Sequence, residues 1–349
     1  MKGKVRIKSY GFTMLILFIL LILMIGTTST IGSASISPID VYKVVVSKIP
    51  VVGGLIDIDS ITSSQHSIIW SVRLPRVLLG VIVGAGLSIS GASFQGLLKN
   101  PMADPYILGI SSGAALGAAI AIIMKLEAAF MGFSGISIMA FIGALIAVTL
   151  VYNIGRIRSH VPVTTLLLAG VAVGQFLTAI TSLLMVIYNR DMTKIIYWTL
   201  GSLAGKGWNP ITTMSIPLIA AMGILLFFSR DINIMLTGEE SAKSLGVNVE
   251  RIKVYVLLLG TFITSMAVSV SGIIGFVGLI IPHIVRLIVG PDHRILLPAS
   301  AIVGSIFMVF TDTIARTVIS PMEIPVGIIT AIFGGPFFIY LLRSKKKAL

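Results

Sequence analysis

Apolar runs of about 20 residues follow one another along most of the chain, parted by short polar or proline-bearing turns. A helix needs that length to cross a bilayer. The pattern predicts spans over residues 11–31, 77–98, 106–124, 135–154, 164–188, 211–229, 252–271, 273–289, 296–312 and 325–342. Gly and Pro interrupt 106–124 and 273–289, so those two helices should be broken or short. The expected fold is all-α and integral to the membrane, with ten spans in one domain covering 1–349.

Composition agrees. Of 349 residues, 56% are hydrophobic and 11% charged, with a mean hydropathy of +1.04. A soluble domain carries about 25% charged residues, so a single globular core is excluded. Cysteine is absent, which removes disulfides and thiolate metal sites.

The net charge is +13. In a soluble protein that would point to nucleic acid. Here the basic residues cluster at the ends of apolar runs, where they set orientation. Lys2, Lys4, Arg6 and Lys8 precede the first span, and Arg343, Lys345, Lys346 and Lys347 follow the last. With both termini cytoplasmic, the inner segments hold 17 of the 26 Lys and Arg, while the acids divide evenly. The basic start, the apolar run and the small residues near Ser33 resemble a secretory signal, but a polytopic chain is expected to retain its first span.

Ser88-Ile89-Ser90-Gly91 with Pro101 recurs as Ser269-Val270-Ser271-Gly272 with Pro282, each at an offset of 181. In the alternating topology the two blocks run in opposite directions. This predicts an inverted repeat with halves near 70–190 and 250–343, a common transporter plan. Small residues at helical spacing (Gly80, Gly84 and Gly91; Gly109, Gly113 and Gly117; Gly272, Gly275 and Gly278) suit closely packed helices.

Candidate chemistry is sparse. No Asp or Glu falls in the central turns of any predicted span, whereas ion-coupled carriers place ionisable groups there. The energy for transport should then come from outside the chain. His66, His160, His283 and His293 have no metal-ligand spacing. Gly201 to Gly207 lacks the Ser/Thr that a phosphate loop requires after its lysine, and no Ser/His/Asp set can be drawn.

Two segments stand out. In the polar loop 230–253, Thr237 and Glu240 have capping-box spacing and Gly246 sits where a C-terminal cap belongs. A short cytoplasmic helix at about 238–245 is predicted, anchored by Leu245 and able to receive a push from a partner. At the outer side, Arg73 and Arg76 precede one span, and Asp312 and Arg316 lie i,i+4 at the end of another near Glu323. The arginines are either interfacial anchors or a positive ring that receives carboxylates; Arg316 pairs with Asp312 in the simplest case.

Seven blocks in order then resemble the permease subunit of type II ABC importers, the family for iron-siderophore, haem and vitamin B12 uptake. They are RLPR at 73–76, SISGASFQGLLKNPMADPYILG at 88–109, TLLLAG at 165–170, GEESAKSLG at 238–246, GFVGLIIPHIVRL at 275–287, DHRILLP at 292–298 and EIPVGIITAIFGGPFFIYLL at 323–342. The pattern is similar above all to the vitamin B12 branch.

The resemblance implies ten helices per subunit and a second permease subunit, identical or not. It also implies two cytoplasmic ABC ATPases, an extracellular or periplasmic substrate-binding protein, and the plasma membrane of a bacterium or archaeon. No catalytic site, cofactor, metal or nucleic-acid partner is expected.

By position, Arg73, Arg76 and Arg316 match arginines that meet glutamates of the binding protein. Gly238 to Gly246, with Glu239, Glu240, Ala242 and Leu245 between, match the helix that couples to the ATPase. Asn100 and Met102, with Val163 and Thr164, match the cytoplasmic gate, although a Thr-Ser pair of the B12 branch is Val163-Thr164 here. The cargo expected is an iron-siderophore, with haem and corrinoid as alternatives. A secondary transporter or a non-transporting receptor would instead show ion-driven flux or none.

Overall fold

The computed structural model describes residues 2–346 apart from 33, 35, 50–52, 54–56, 58, 59, 127, 128, 131 and 159. Ser33 and Lys347, both used in the sequence reading, lie outside the described residues.

Helices dominate, and every expected span has one. The ten are α1 (Lys2–Thr30), α4 (Leu74–Leu97), α5 (Ile110–Ile123), α6 (Gly135–Gly155), α7 (Val163–Ile187), α9 (Asn209–Phe227), α12 (Val249–Ser271), α13 (Val277–Val289), α14 (His293–Thr317) and α15 (Val326–Lys346). Among the described residues seven apolar helical stretches are long enough to cross a membrane; Ile110–Ile123, Val277–Val289 and Val326–Leu341 are shorter. Between the spans lie the short helices α2 (Pro38–Ser47), α3 (Ser63–Ser67), α8 (Met192–Thr199), α10 (Ser229–Leu236) and α11 (Glu239–Ser244). A two-strand ribbon pairs Ala129–Phe130 with Phe133–Ser134.

Backbone chemistry explains the boundaries. Helix α3 continues into α4 through a π-helical turn, Ile68–Arg73, so the second span begins well before the expected residue 77. Pro75 has no N–H to give this π turn, and the Trp70 carbonyl five residues back takes the Trp208 Nε1–H at 2.8 Å instead. The third span begins late, at Ile110. Asp104 caps a 3₁₀ turn over Pro105–Leu108, and Gly109 then takes φ +78. Likewise Gly272 and Phe276, both at φ +70, separate α12 from α13.

Helix α4 is the central column. Nearly all its residues are buried, and it packs on α12, α13 and α14. Glycine permits this closeness. A Cβ on Gly84 would overlap the Gly304 carbonyl of α14, and one on Gly91 would overlap the Gly278 carbonyl of α13. Such small-residue contacts give close van der Waals packing where lipid supplies no hydrophobic drive between helices. By contrast, α1, α7, α9 and α15 expose large apolar side chains such as Phe18, Phe176, Phe227 and Ile332, as lipid-facing helices do.

The two Ser-x-Ser-Gly blocks, alike in pattern and spacing, are unequal in structure. Ser88 to Gly91 lies inside α4, while Ser269 to Gly272 ends α12; Pro101 is in a turn, while Pro282 is inside α13. The matched spacing therefore does not mark equivalent positions. Packing shows a different reciprocity: α4 lies against α13 and α14, and α12 against α5 and α6.

Candidate functional site

The residues singled out from sequence fall at the two ends of the bundle. Helices α4 and α12 run antiparallel, with Phe94 against Gly260 and Gly86 against Ile263. The start of α4 and the start of α12 are thus at opposite ends.

At the first end the structure gathers Arg73, Arg76 and Arg316 around a cavity of about 200 Å³ that Glu323 also lines. All three side chains are buried, so they do not form an open positive ring. Arg76 Nε lies 2.9 Å from Asp312 Oδ2, its Nη2 3.0 Å from Asp312 Oδ1, and its Nη1 2.9 Å from both Glu323 oxygens. This corrects the expected Arg316–Asp312 pair. The planar guanidinium of Arg76 reaches across from α4 and takes Asp312 with a bidentate fork, which a neighbour on the same helix matches less well.

Arg73 and Arg316 instead bind the last carbonyls of α1. Arg73 Nη1 donates to Ser29 O at 3.2 Å and Thr30 O at 2.7 Å, its Nη2 donates to Ala34 O, and Arg316 Nη2 donates to Thr28 O. A helix C-terminus leaves such carbonyls without intrahelical partners. None of this was legible from i,i+4 spacing, since the partners are far apart in sequence.

At the second end, α11 projects between α10 and α12. The expected capping box is not formed. Thr237 remains in the preceding turn, its hydroxyl donating to Ile234 O, and Gly238 enters the helix at φ +126 without a side-chain cap. Gly246 does close the helix: at φ +83 its N–H donates to Lys243 O, and Val247 N–H donates to Ala242 O. That pair of bonds is a Schellman motif.

The anchor is also corrected. Ala242 is fully buried, whereas Leu245 is 67% exposed. The chain turns outward at Gly246, so the apolar side chain points to the surroundings. Glu239 joins α11 to α12, its Oε1 2.8 Å from Lys253 Nζ. That hydrogen bond holds the Glu239 carboxyl below the usual carboxylate range. Glu240 is exposed.

The four positions expected at a gate lie on separate turns at this same end. Asn100 is exposed after Lys99, which takes φ +49, and its Oδ1 accepts the Met102 N–H at 2.9 Å. Val163 and Thr164 open α7 next to Val161, whose N–H donates to Glu250 Oε2 at 3.3 Å. Thr165, not Thr164, makes the local hydroxyl bonds, donating to Gly155 O and Pro162 O. Among the described residues no group of three His, Cys, Asp or Glu can hold a metal.

Comparison with known proteins gives one consistent result. The FecCD transport family model matches residues 15–344. The cobalamin import permease BtuC of Halobacterium salinarum is 47% identical over 82% of this chain and 76% of its own length. The hemin permease HmuU of Yersinia pestis is 39% identical over 80% of this chain and 84% of its own. A solved inward-facing structure, assigned to a metal-chelate type ABC transporter, superposes with a TM-score of 0.80 at 32% identity, covering 95% of this chain and 99% of that one. From its helices, its buried arginine cluster and its family match, the chain belongs to the FecCD transport family of type II ABC importer permeases.

Proposed function

We propose that this chain is the membrane path of an importer that carries a metal chelate into the cytoplasm. ATP is hydrolysed on two separate cytoplasmic subunits and cargo is delivered by an extracellular binding protein. The observation that carries the reading is α11. It is a short helix fixed to α12 by a buried ammonium, closed by a glycine cap, and offering Glu240 and Leu245 to a partner. A push on such an element passes directly to a spanning helix. The exposed apolar faces of α7 and α15 suit a second permease subunit and lipid. The reciprocal packing of α4 and α12 supports two related halves.

For cargo, identity favours a corrinoid over the iron-siderophore expected from sequence. The cobalamin permease stands at 47% and the hemin permease at 39%. Docking of the binding protein falls to the outer end, where Arg73, Arg76 and Arg316 lie beneath the surface around Glu323. The test is reconstitution of the permease with its ATPase and binding protein in liposomes. ATP-dependent entry of radiolabelled cobalamin, exceeding that of a ferric hydroxamate, is expected. Preference for the hydroxamate returns the cargo to the siderophore class; flux driven by an ion gradient without ATP overturns the whole reading.

A further inference from the structure

At the end of the bundle that carries α11 there is a second cavity, of about 380 Å³. Its wall is built from five separate stretches: the end of α4 (Gln95), the turn after it (Lys99), the end of α10 (Leu236), the end of α13 (Arg286) and the start of α14 (His293). Its charge is unbalanced. Among the described residues Arg286 makes no ion pair, and its Nη1 is buried without a hydrogen-bond partner. The two carboxylates nearby are engaged elsewhere. Asp292 is held by Arg294 through bonds of 2.6 to 3.1 Å and accepts from Asn233 at 2.7 Å, and Glu239 is held by Lys253. Arg286 is half-buried, and a guanidinium nitrogen taken out of water without a partner is costly, because its desolvation is not repaid.

A third group narrows the ligand. Gln95 is 2% exposed; its Nε2 donates to Leu279 O at 3.0 Å, while its Oε1 is buried without a donor. The wall therefore gathers two cations, Arg286 and Lys99, beside the buried Gln95 amide, whose oxygen lacks a donor. A carboxylate satisfies the cations and leaves Gln95 unpaired, since an ionised carboxylate only accepts. A phosphodiester does the same. Hydrogen phosphate offers both: ionised oxygens for the guanidinium and ammonium, and a P–OH for the amide oxygen.

We propose that this cavity is an oxyanion site selective for hydrogen phosphate, either free or as a monoester. Phosphate bound there supplies the charge that Arg286 lacks and ties α4, α13 and the turn at Lys99 together. The site stands whatever cargo the permease carries.

The test uses the full-length chain in nanodiscs of phosphatidylcholine, with thermal unfolding followed at fixed ionic strength in chloride, sulfate or inorganic phosphate. Phosphate should raise the melting temperature, each tenfold excess over its dissociation constant shifting the unfolding equilibrium about tenfold. Sulfate, which has no hydroxyl at neutral pH, should act more weakly. Both Arg286→Met and the exposed-site variant Lys99→Ala should lose the response, and the second keeps the test open if the first does not fold. Discs containing phosphatidic acid separate the sources: a response that vanishes there assigns a lipid monoester, and one that persists assigns soluble phosphate. No phosphate response in the parent chain, an undiminished response in Lys99→Ala, an equal response to sulfate, or a response to succinate alone would each overturn the proposal.

Discussion

Lys253 Nζ lies 2.8 Å from Glu239 Oε1 and 3.1 Å from Glu250 Oε1, so one buried ammonium joins α11 to the first turn of α12. Glu239→Gln keeps the shape and weakens this joint. Because Glu239 is 42% exposed, the loss in stability should be small, within about 1 kcal/mol. Transport per ATP in the reconstituted complex should fall severalfold while ATP hydrolysis continues. Unaltered transport per ATP would mean that α11 passes its push by another contact. The pH dependence has a fixed sign. The Glu239 pKa is lowered on folding, so its stabilisation is present above about pH 4 and disappears as pH falls through the lowered value.

Asp292 gives a sharper titration. It caps α14 by accepting the Arg294 N–H, and the Arg294 side chain, with smaller help from Asn233, depresses its carboxyl to about 2. Replacing it with Ala should cost about 1 kcal/mol, as N-cap removals do. The difference in melting temperature between parent and Asp292→Ala should be constant from neutral pH to about 4, the ordinary aspartate value. It should shrink below that as the native carboxylate takes up its proton. A difference that grows on acidification would contradict the capping role.

Arg76 and Asp312 form a buried pair, with side chains 8% and 3% exposed. Arg76→Met strands a carboxylate and should destabilise by about 3–5 kcal/mol. Adding Asp312→Leu should recover much of that loss, since an apolar pair of similar volume is often neutral. Thermal unfolding of the two single variants and the double one forms the cycle; simple additivity would show that the pair is not coupled.

Gly91 and Gly223 make a matched contrast within spanning helices. A methyl on Gly91 meets the Gly278 carbonyl, whereas one on Gly223 meets nothing within 4 Å. Gly91→Ala should abolish folding or lower the melting temperature strongly. Gly223→Ala should be neutral or slightly stabilising through helix propensity. Equal tolerance at both positions would refute the close approach of α4 and α13.

The spans were legible because a bilayer imposes a length and a polarity on every crossing segment, and α6 and α7 match the apolar runs to within a residue or two. The glycine cap at Gly246 was legible for a similar reason: a left-handed position admits few residues. What escaped depends on distance or on one backbone angle. Thr237 and Glu240 had the right spacing, but Gly238 at φ +126 turns the chain so that Thr237 belongs to the previous turn. The partners of Arg76 lie 236 and 247 residues away, so only the folded bundle shows that Asp312 belongs to Arg76 and not to Arg316. Lys253 and Arg286 gave no signal of their own, because a cation near a span end is ordinary until its neighbours are known.

The glycine contacts of α4 have a mechanical meaning. Where Gly91 of α4 meets Gly278 of α13, backbone lies on backbone, and neither residue has a side chain to swivel and take up a displacement. A displacement of α13 at that point is therefore passed straight to α4, with nothing between them to yield.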